Sequence, residues 1–261
     1  MSLSMNISKS GIKAFQRSMD ALSNDIANTN TTGYKSKNVS FSDLLTNTKA
    51  ANDKLLLADG LKEVSVSTGT KSAVTSTNVT QGSLVEDQED FHLAITGDGF
   101  FRVTSAEGEQ YYTRDGAFHV NADKTITNDS GDVLEINQNS LAMQNWSEGD
   151  ITITEEGNVL VKNGEGSILA GTIPIFYPAD TGALIPQGEN KYSIAGGVAI
   201  YSSAEGTYPL GAIQQHFLES SNVNLVSSFT DMIVAQRAYS MNMKAAQSTD
   251  EMMGMINGFK R

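Results

Sequence analysis

Both ends of the chain carry apolar residues in alternating steps of three and four, and this spacing constrains the fold more than any other feature. Near the N-terminus the pattern runs through Ile12, Phe15, Met19, Leu22 and Ile26. Near the C-terminus it runs through Phe229, Met232, Gln236, Tyr239, Met243 and Ala246, with Ile233 widening the stripe. Such spacing predicts a helix with one apolar seam, as in a coiled coil. Because an isolated amphipathic helix is marginal in water, each helix needs a partner, and the other end of the chain is the obvious candidate.

Turn-forming residues follow the N-terminal helix, which we expect over residues 6–28. Asn28, Asn30 and Gly33 tolerate left-handed backbone conformations or satisfy the last carbonyl groups of a helix. Tyr34 then offers a large ring with a polar tip that can anchor the departing chain. We therefore interpret these four residues as a helix-exit motif that redirects the chain.

The middle of the chain differs in composition from both ends. Residues 46–80 are rich in Ser, Thr, Asn and Lys, which predicts a linker or arm. In residues 81–215, short runs of β-branched and aromatic residues alternate with glycine-containing turns such as Asp115-Gly116, and this alternation predicts antiparallel hairpins.

The predicted fold class is α+β, with a mainly antiparallel β domain inserted into a discontinuous helical domain. Residues 1–45 and 216–261 are expected to form the helical domain, paired as a coiled coil. The inserted β domain is expected over residues 81–215, after the linker.

Charge and composition exclude several classes of function. The chain has 18 basic and 30 acidic residues, a net charge of −12, so binding to nucleic acid or to an anionic membrane surface would work against repulsion. No apolar run approaches the roughly 18 residues of a membrane helix, and the N-terminal apolar residues do not form the block of a secretory signal. The absence of cysteine removes thiol catalysis and Cys-ligated metal. We therefore expect no nucleic-acid partner and no membrane insertion.

The polar residues do not converge on a catalytic, cofactor or metal site. No two of the three histidines, His92, His119 and His216, stand at a spacing typical of metal ligands. Glu155 and Glu156 are neighbours on a predicted strand and would point to opposite faces, so they cannot form an acid and base pair. Glycine-rich stretches lack the residues that complete a phosphate-binding loop. We therefore predict no catalytic residues, no cofactor and no metal.

Several segments, in this order along the chain, resemble the flagellar axial family, the rod and hook proteins of the bacterial flagellar basal body. They are "ANTNTTGYK" at 27–35, "QGSL" at 81–84, "LAITGDGFFRV" at 93–103, "YTRDGAFHVN" at 112–121 and the helical segment from Leu218 to Met253. Each motif alone would be weak, but their joint order is a strong signal. Residues 140–210 contribute little to the resemblance.

The resemblance implies a tube-forming structural protein of the flagellar basal body in the cell envelope. It implies export through the flagellum-specific apparatus without a cleaved signal, terminal helices in the inner layer of the tube and a β domain outside. The implied partners are further copies of the chain, other rod and hook proteins and the export apparatus. Within the family, the length of the chain is most similar to that of distal rod subunits, with a proximal rod or hook-type relative as the alternative.

Two other hypotheses compete with self-assembly through the terminal helices. A secreted adhesin or glycan-binding β module would use coiled-coil ends only to oligomerise. Alternatively, the two helices could close on each other within one chain and bury their whole apolar surface. Ile233, Met241 and Met252 lie on further faces of the C-terminal helix and favour contacts with neighbouring subunits.

Overall fold

The protein has a long helix at each end and strands between them, as the sequence predicts. The structure, a computed structural model, describes residues 2–43, 70–123, 125–138, 151–163, 166–206 and 208–259. The α+β class and the mainly antiparallel pairing of the strands are confirmed. Most of the predicted linker at 46–80 lies outside the described residues, and its last part contains a strand.

The two helices are α1 (Ser2–Ala27) and α2 (Leu225–Gly258). The helix in the C-terminal segment begins at Leu225 and not at residue 216, because Phe217–Glu219 is extended and pairs antiparallel with Leu84–Glu86. The side chain of Glu219 is fully buried in this extended conformation, so the segment is tied to the strands before the helix starts.

The described residues contain nineteen short strands. The first ten are β1 (Lys37–Asp43), β2 (Thr70–Thr77), β3 (Leu84–Glu86), β4 (Leu93–Thr96), β5 (Phe100–Thr104), β6 (Gln110–Thr113), β7 (Phe118–Val120), β8 (Ile126–Asn128), β9 (Val133–Leu134) and β10 (Asn137–Gln138). The others are β11 (Ile151–Ile153), β12 (Asn158–Asn163), β13 (Gly166–Thr172), β14 (Ile175–Pro178), β15 (Leu184–Gly188), β16 (Lys191–Ile194), β17 (Ile200–Ser202), β18 (Ala212–Gln215) and β19 (Phe217–Glu219).

One large sheet and one four-stranded sheet make up most of the β structure. The large sheet has the order β15-β16-β6-β5-β9-β8-β7, with β14 also pairing with β5 and with β17. The four-stranded sheet has the order β10-β13-β12-β11. Three further two-stranded sheets pair β1 with β2, β4 with β18, and β3 with β19. The last two pairs join strands from near the two ends of the β-rich region.

Large apolar side chains fill the core between these strands. Phe101 and Phe118 pack edge to face with ring centroids 5.4 Å apart. A second, smaller cluster contains Phe100, Tyr112, Phe176, Leu184 and Tyr192. Burying one such side chain contributes about 1.5–3 kcal/mol, so this core accounts for much of the stability of the β structure.

The chain divides into two compact units. The terminal unit contains α1 up to Ile26, β1, β2 up to Thr75, and α2. The β unit contains residues 27–36 and the described residues between 76 and 224. Residues 27–36, which include the helix-exit motif, therefore belong to the β unit.

Within the terminal unit, β1 and β2 are tied to α1. The rings of Phe15 and Phe41 lie 5.3 Å apart, and Ser10 Oγ accepts a hydrogen bond of 3.1 Å from the Thr70 backbone N–H. The buried carboxylate of Asp25 accepts from the backbone N–H of Lys37 at 3.2 and 3.3 Å. These contacts fix the last turn of α1 to the first residue of β1.

Candidate functional site

The predicted seam of α1 lies beside the most buried face of this helix, which consists mainly of small residues. The five predicted positions are all partly exposed, namely Ile12, Phe15, Met19, Leu22 and Ile26. The buried face is formed by Ser8, Gly11, Ala14, Ala21 and Asp25. Small side chains let a second helix approach closely, so α1 buries its small face and leaves its large apolar face accessible.

The helix α2 shows the same division between small buried residues and large exposed ones. Its most buried line, which we call the inner seam, is Ser228, Met232, Ala235, Tyr239, Asn242, Ala246, Thr249 and Met253. Of the predicted positions, Met232, Tyr239 and Ala246 belong to this seam and are partly buried. The other four are exposed, namely Phe229, Ile233, Gln236 and Met243.

Two contacts join the small faces of α1 and α2. The hydroxyl oxygens of Ser4 and Thr249 lie 3.5 Å apart. A Cβ atom added to Gly11 would lie 2.7 Å from Oδ1 of Asn242, so a side chain at this position would meet α2. From Ser4 to Gly11 the chain runs toward the C-terminus of α1, whereas the residues they contact, Thr249 and Asn242, follow each other toward the N-terminus of α2. The two helices therefore run in opposite directions at these contacts.

A second line of residues along α2, which we call the outer seam, repeats the steps of four and three on another face. It consists of Val234, Ala238, Met241, Ala245, Ser248, Met252, Met255 and Phe259. All of these residues except Ala238 are exposed, and Phe259 is 90% exposed. Sequence reasoning placed Met241 and Met252 on further faces of the helix but did not connect them into a seam, although counting in steps of four and three from Val234 would have done so.

A further apolar stripe lies near the start of α2. Leu225, Phe229 and Ile233 follow each other in steps of four and are 40%, 51% and 51% exposed. Residues spaced in this way lie on one face of a helix. Together with the outer seam, this stripe gives α2 more exposed apolar surface than a helix that packs on one face requires.

The helix-exit motif lies within the β unit and has specific contacts there. Gly33 has a φ of +66°, and its N–H donates a 2.7 Å hydrogen bond to the carbonyl oxygen of Glu219. An added Cβ at Gly33 would lie 2.5 Å from the backbone of Arg114, so only glycine fits without displacement. Tyr34 is buried, and the carbonyl oxygen of Asn28 accepts from the N–H of Thr31 at 3.2 Å.

The fourth predicted residue of the motif, Asn30, is exposed. It lines a cavity of about 240 Å³ between the exit segment and the strands β3 and β19. Thr29, Thr32 and Val85 also line this cavity, whose walls include both polar and apolar side chains. The motif therefore contains two buried residues, Gly33 and Tyr34, that fix the chain, and Asn30, which faces solvent.

The next residue, Lys35, belongs to a buried charge cluster of Lys35, Arg114 and Glu219. Lys35 Nζ lies 2.6 Å from Oε1 of Glu219, and Arg114 Nη1 lies 3.2 Å from Oε2. The side chains of Lys35 and Glu219 are fully buried, and that of Arg114 is 2% exposed. Burial lowers the pKa of both Lys35 and Arg114, while the Glu219 carboxylate opposes this shift. With two cations and one anion, the cluster depends on Glu219.

Backbone groups from several segments complete the cluster. Glu219 Oε1 also accepts a hydrogen bond of 2.7 Å from the N–H of Gly82. Lys35 Nζ donates to the carbonyl oxygen of Thr80 at 2.8 Å, and Arg114 Nη2 donates to that of Gly97 at 2.7 Å. The carboxylate of Glu219 therefore holds the exit segment, the segment before β3 and the loop after β6 in one place.

Asn222 makes a second set of bonds around the exit segment. Its Oδ1 accepts from the backbone N–H of Ser36 at 2.8 Å. Its Nδ2 donates to the carbonyl oxygens of Asn78 at 2.8 Å and Thr80 at 3.0 Å. Sequence reasoning gave no role to Lys35, because its partner Glu219 lies far away along the chain.

The histidines occupy three different environments. His92 is buried, with Nδ1 3.3 Å from Oδ1 of Asp87. His119 Nε2 lies 2.7 Å from Oδ1 of Asp129, and His216 Nδ1 lies 3.2 Å from the carbonyl oxygen of Glu89. Within the described ranges, no three histidine, aspartate or glutamate side chains are arranged to hold a metal ion. Neither α1 nor α2, as far as they are described, has an apolar stretch sufficient to cross a bilayer.

Three family models match the chain in the order of its structural parts. A flagella basal body rod protein model matches residues 5–35, and a flagellar hook protein FlgE/F/G D1 domain model matches residues 94–170. A flagellar basal body rod FlgEFG protein C-terminal model matches residues 214–259. The matches cover α1 with the exit segment, much of the β unit, and α2. The class is therefore that of the rod and hook proteins.

Similar proteins with curated names extend along nearly the whole chain. The flagellar basal-body rod protein FlgG of Borreliella burgdorferi is 33% identical over 257 residues, which cover 97% of this chain and 96% of the relative. FlgG of Bacillus subtilis is 34% identical over 261 residues, covering 97% of each chain. The flagellar hook-basal body complex protein FlhP of Bacillus subtilis is 28% identical over 275 residues, with coverage of 98% and 99%.

The chain therefore belongs to the family of flagellar basal-body rod proteins. The family defines a structural role in the rod and a location in the basal body of the bacterial flagellum. The matching models and these three relatives describe rod and hook proteins, and none of them describes an enzyme.

Proposed function

We propose that this rod subunit is non-enzymatic and assembles with copies of itself into a helical tube through its terminal helices. Within one subunit, α1 and α2 pair as an antiparallel coiled coil through their small faces. Between subunits, contacts repeat from one copy to the next without closing into a ring, which generates a helical polymer. The observation that carries this proposal is the exposed outer seam of α2.

The sizes of the side chains support this division of roles. The contacts of Ser4 with Thr249 and of Gly11 with Asn242 use small or polar groups. The large apolar residues of α2 stay accessible, with Met241 66% and Val234 59% exposed. An apolar surface of this extent on a soluble subunit is typical of a protein interface.

A second copy of this chain fits the outer seam by shape. We infer that the large-residue seam of α1, from Ile12 to Ile26, docks there. The first part of the outer seam contains three small residues among its large ones, namely Ala238, Ala245 and Ser248, which leave spaces between the large side chains. Large side chains of a facing helix fill such spaces in knobs-into-holes packing. The partly buried residues Phe15 and Met19 have large side chains of this kind.

The experiment compares two charge substitutions on the same helix. Met241→Glu places a carboxylate in the outer seam, whereas Gln247→Glu places one at an exposed position outside both seams. Sedimentation velocity and negative-stain microscopy over a concentration series measure assembly. We expect the wild type and Gln247→Glu to form tubes or fibres. Met241→Glu should require at least about tenfold more protein, because an unpaired charge must be buried.

Two outcomes would overturn the proposal. A wild-type chain that stays monomeric over the whole series would show that the helices close on each other within one chain. Equal assembly by Met241→Glu and Gln247→Glu would show that the outer seam is not an interface. Circular dichroism of both variants checks that α2 remains helical.

The remaining parts of the proposal rest on the family. We propose that the subunit also contacts other rod and hook proteins, that it reaches its site through the flagellar export apparatus, and that it is not inserted into a membrane. Its position in the distal part of the rod is likewise a proposal and rests on the chain length of 261 residues.

A further inference from the structure

The β unit contains a second cavity, whose lining residues all belong to this unit. Its volume is about 350 Å³, which lies within the roughly 300–1,000 Å³ of sites that bind small molecules. Glu155 and Glu156 line it from the turn between β11 and β12. Ser203, Tyr208 and Leu210 line it from the segment between β17 and β18. The cavity therefore combines carboxylate, hydroxyl, aromatic and aliphatic groups.

Main-chain hydrogen bonds fix the turn that carries the two glutamates. The N–H of Thr154 donates to the carbonyl oxygen of Asn158 at 2.9 Å, which closes the turn. The carbonyl oxygen of Glu155 accepts from the N–H of Ile213 in β18, also at 2.9 Å. A side-chain hydrogen bond with Thr154 lowers the pKa of Glu156 below its usual value of 4.5. At neutral pH its carboxylate is therefore an ionised hydrogen-bond acceptor.

The ring of Tyr208 is held in one orientation by two other tyrosines. Tyr177 and Tyr201 are partners in the pairing of β14 with β17, so they lie on one face of the sheet. Tyr208 stacks on both, with ring centroids 5.9 and 5.1 Å apart and interplanar angles of 8° and 13°. It is nevertheless 38% exposed. An aromatic ring held in this way loses little freedom when a ligand packs on it.

The other groups of the cavity supply an apolar wall and a hydroxyl. Ile175 and Leu210 are both lining residues, and Ile175 is buried in the core of the unit. Ser203 Oγ accepts a 3.0 Å hydrogen bond from the backbone N–H of Ile175. A serine hydroxyl that accepts one bond still has its own proton to donate.

We propose that this cavity binds a neutral pyranose unit of a glycan. A pyranose ring has apolar C–H faces and a rim of hydroxyl groups. One face packs on the Tyr208 ring, and the hydroxyl groups donate to the carboxylates of Glu155 and Glu156, which are strong acceptors. The inference concerns the β unit alone, so it stands or fails separately from assembly through the terminal helices.

The first measurement is a titration of dilute full-length protein with two oligosaccharides, followed by ligand-observed NMR. Chitotetraose and cellotetraose are both chains of pyranose units and differ in their N-acetyl groups. We expect at least one of them to bind with a dissociation constant of about 1 mM or below. If neither binds at about 10 mM, tenfold above that constant, the proposal is wrong.

Substitutions then test whether the cavity is the binding site. Tyr208→Ala removes the ring and should weaken binding about tenfold, whereas Tyr208→Phe keeps the ring and should bind within about threefold of wild type. Glu156→Gln removes the charge of one acceptor and should weaken binding at least about fivefold. Glu107→Gln, at an exposed glutamate outside the cavity, is the matched control and should bind as wild type does.

Two results with these variants would overturn the proposal. One is equal affinity of wild type and Tyr208→Ala, because the ring would then not contact the sugar. The other is an equal loss in Glu156→Gln and Glu107→Gln, which would attribute the effect to net charge. Urea unfolding of each variant checks that the β unit remains folded.

A cationic ligand is the competing interpretation, because carboxylates and aromatic rings also bind ammonium and guanidinium groups. The peptide trilysine serves as the probe for this class. Since a neutral sugar carries no charge, its affinity should change by less than about twofold when salt is raised from about 0.05 to 0.5 M. If trilysine binds, Glu156→Gln weakens this binding and neither sugar binds, the site is one for a cation and the proposal is wrong.

Discussion

The terminal unit and the β unit bury opposite kinds of residue. In the β unit, Leu93, Phe100 and Phe101 are completely buried, as expected of a fold that completes its own core. In the terminal unit, the buried positions of the helices are mostly small or polar, such as Ala14 and Ala235, and the large apolar residues stay accessible. The β unit therefore completes its own core, whereas the terminal unit leaves large apolar side chains exposed, as the proposed docking on the outer seam requires.

The β unit also buries charge, which makes its geometry specific and its stability dependent on single residues. Glu219 pairs with both Lys35 and Arg114 and accepts a hydrogen bond from the N–H of Gly82. Apolar packing tolerates many exchanges of similar volume, but a buried ion cluster loses its balance when one member changes. The comparison of the two units therefore predicts where substitutions act most strongly.

The largest expected effect is that of Glu219→Gln. The substitution keeps the shape of the side chain but removes the carboxylate that pairs with both Lys35 and Arg114, and Arg114 then keeps only the weaker interaction with Asp98. We expect the free energy of unfolding to fall by about 3–5 kcal/mol, as when one partner of a buried ion pair is removed. Urea unfolding followed by circular dichroism and tyrosine fluorescence measures the change. Glu155→Gln, at an exposed glutamate of the same unit, should change stability by no more than about 0.5 kcal/mol.

A second variant tests whether the charge balance of the cluster causes this loss. Lys35→Met removes one of the two cations and leaves Glu219 paired with Arg114. Because one anion then faces one cation, this variant should lose less stability than Glu219→Gln. If Lys35→Met is the more destabilising of the two, the argument from net charge is wrong and packing around Lys35 dominates.

The sequence was sufficient to predict the elements and insufficient to predict which faces they bury. Steps of three and four identified both helices, and alternating runs identified the strands, because these patterns follow local periodicity. The same steps favoured the large residues Phe15 and Phe229 as the seams, whereas the helices bury Ala14 and Ser228 more deeply. A search for large apolar residues does not identify small residues such as alanine and serine as a buried face. Their contribution depends on a second helix that packs closely against them.

The exit segment shows a second limit of sequence reasoning. Gly33 and Tyr34 could be recognised locally, because glycine tolerates a positive φ and tyrosine can anchor a turn. The partner of Lys35 is Glu219, 184 residues further along the chain. A single buried carboxylate far along the chain has no local signature, so only the folded chain connects these residues.

A smaller effect is expected for Gly11→Leu, which tests the close approach of the helices in the terminal unit. A Cβ at Gly11 already meets Asn242, and a larger side chain would push α2 away. We expect a loss of about 1–3 kcal/mol, typical of overpacking, measured as urea unfolding followed by helical circular dichroism. Gly254→Leu is the matched control, because an added Cβ there has no atom within 4 Å.

A double substitution tests the contact between Gly11 and Asn242 directly. Asn242→Ala removes the side chain that the added leucine meets, so combining it with Gly11→Leu should recover part of the lost stability. Additive losses would contradict the contact between these two positions, because coupled residues deviate from additivity. If Gly254→Leu lowers the free energy of unfolding by a similar amount, the effect comes from the leucine side chain and not from the contact with Asn242.

The smallest effect is expected for Asp115→Asn in the β unit, and it depends on pH. Burial raises the pKa of Asp115 above its usual value of 3.8, and the nearby Asp129 raises it further. Between 3.8 and the raised value, the folded state binds more protons than the unfolded state, so this group's contribution to stability falls as pH rises. The ionised form therefore opposes folding at neutral pH. Asparagine removes this charge and keeps an oxygen to accept the 3.1 Å hydrogen bond from the N–H of Ala117.

We therefore expect Asp115→Asn to have a higher melting temperature than the wild type at pH 7. The difference should shrink as pH is lowered through the raised pKa, because wild-type Asp115 then becomes neutral as well. Asp123→Asn, at an exposed position, serves as the control for a change in net charge. If Asp115→Asn is less stable than the wild type at pH 7, the carboxylate is needed for its contacts. The contacts of the ionised Asp115 would then stabilise the β unit by more than the burial of its charge costs, as proposed for Glu219.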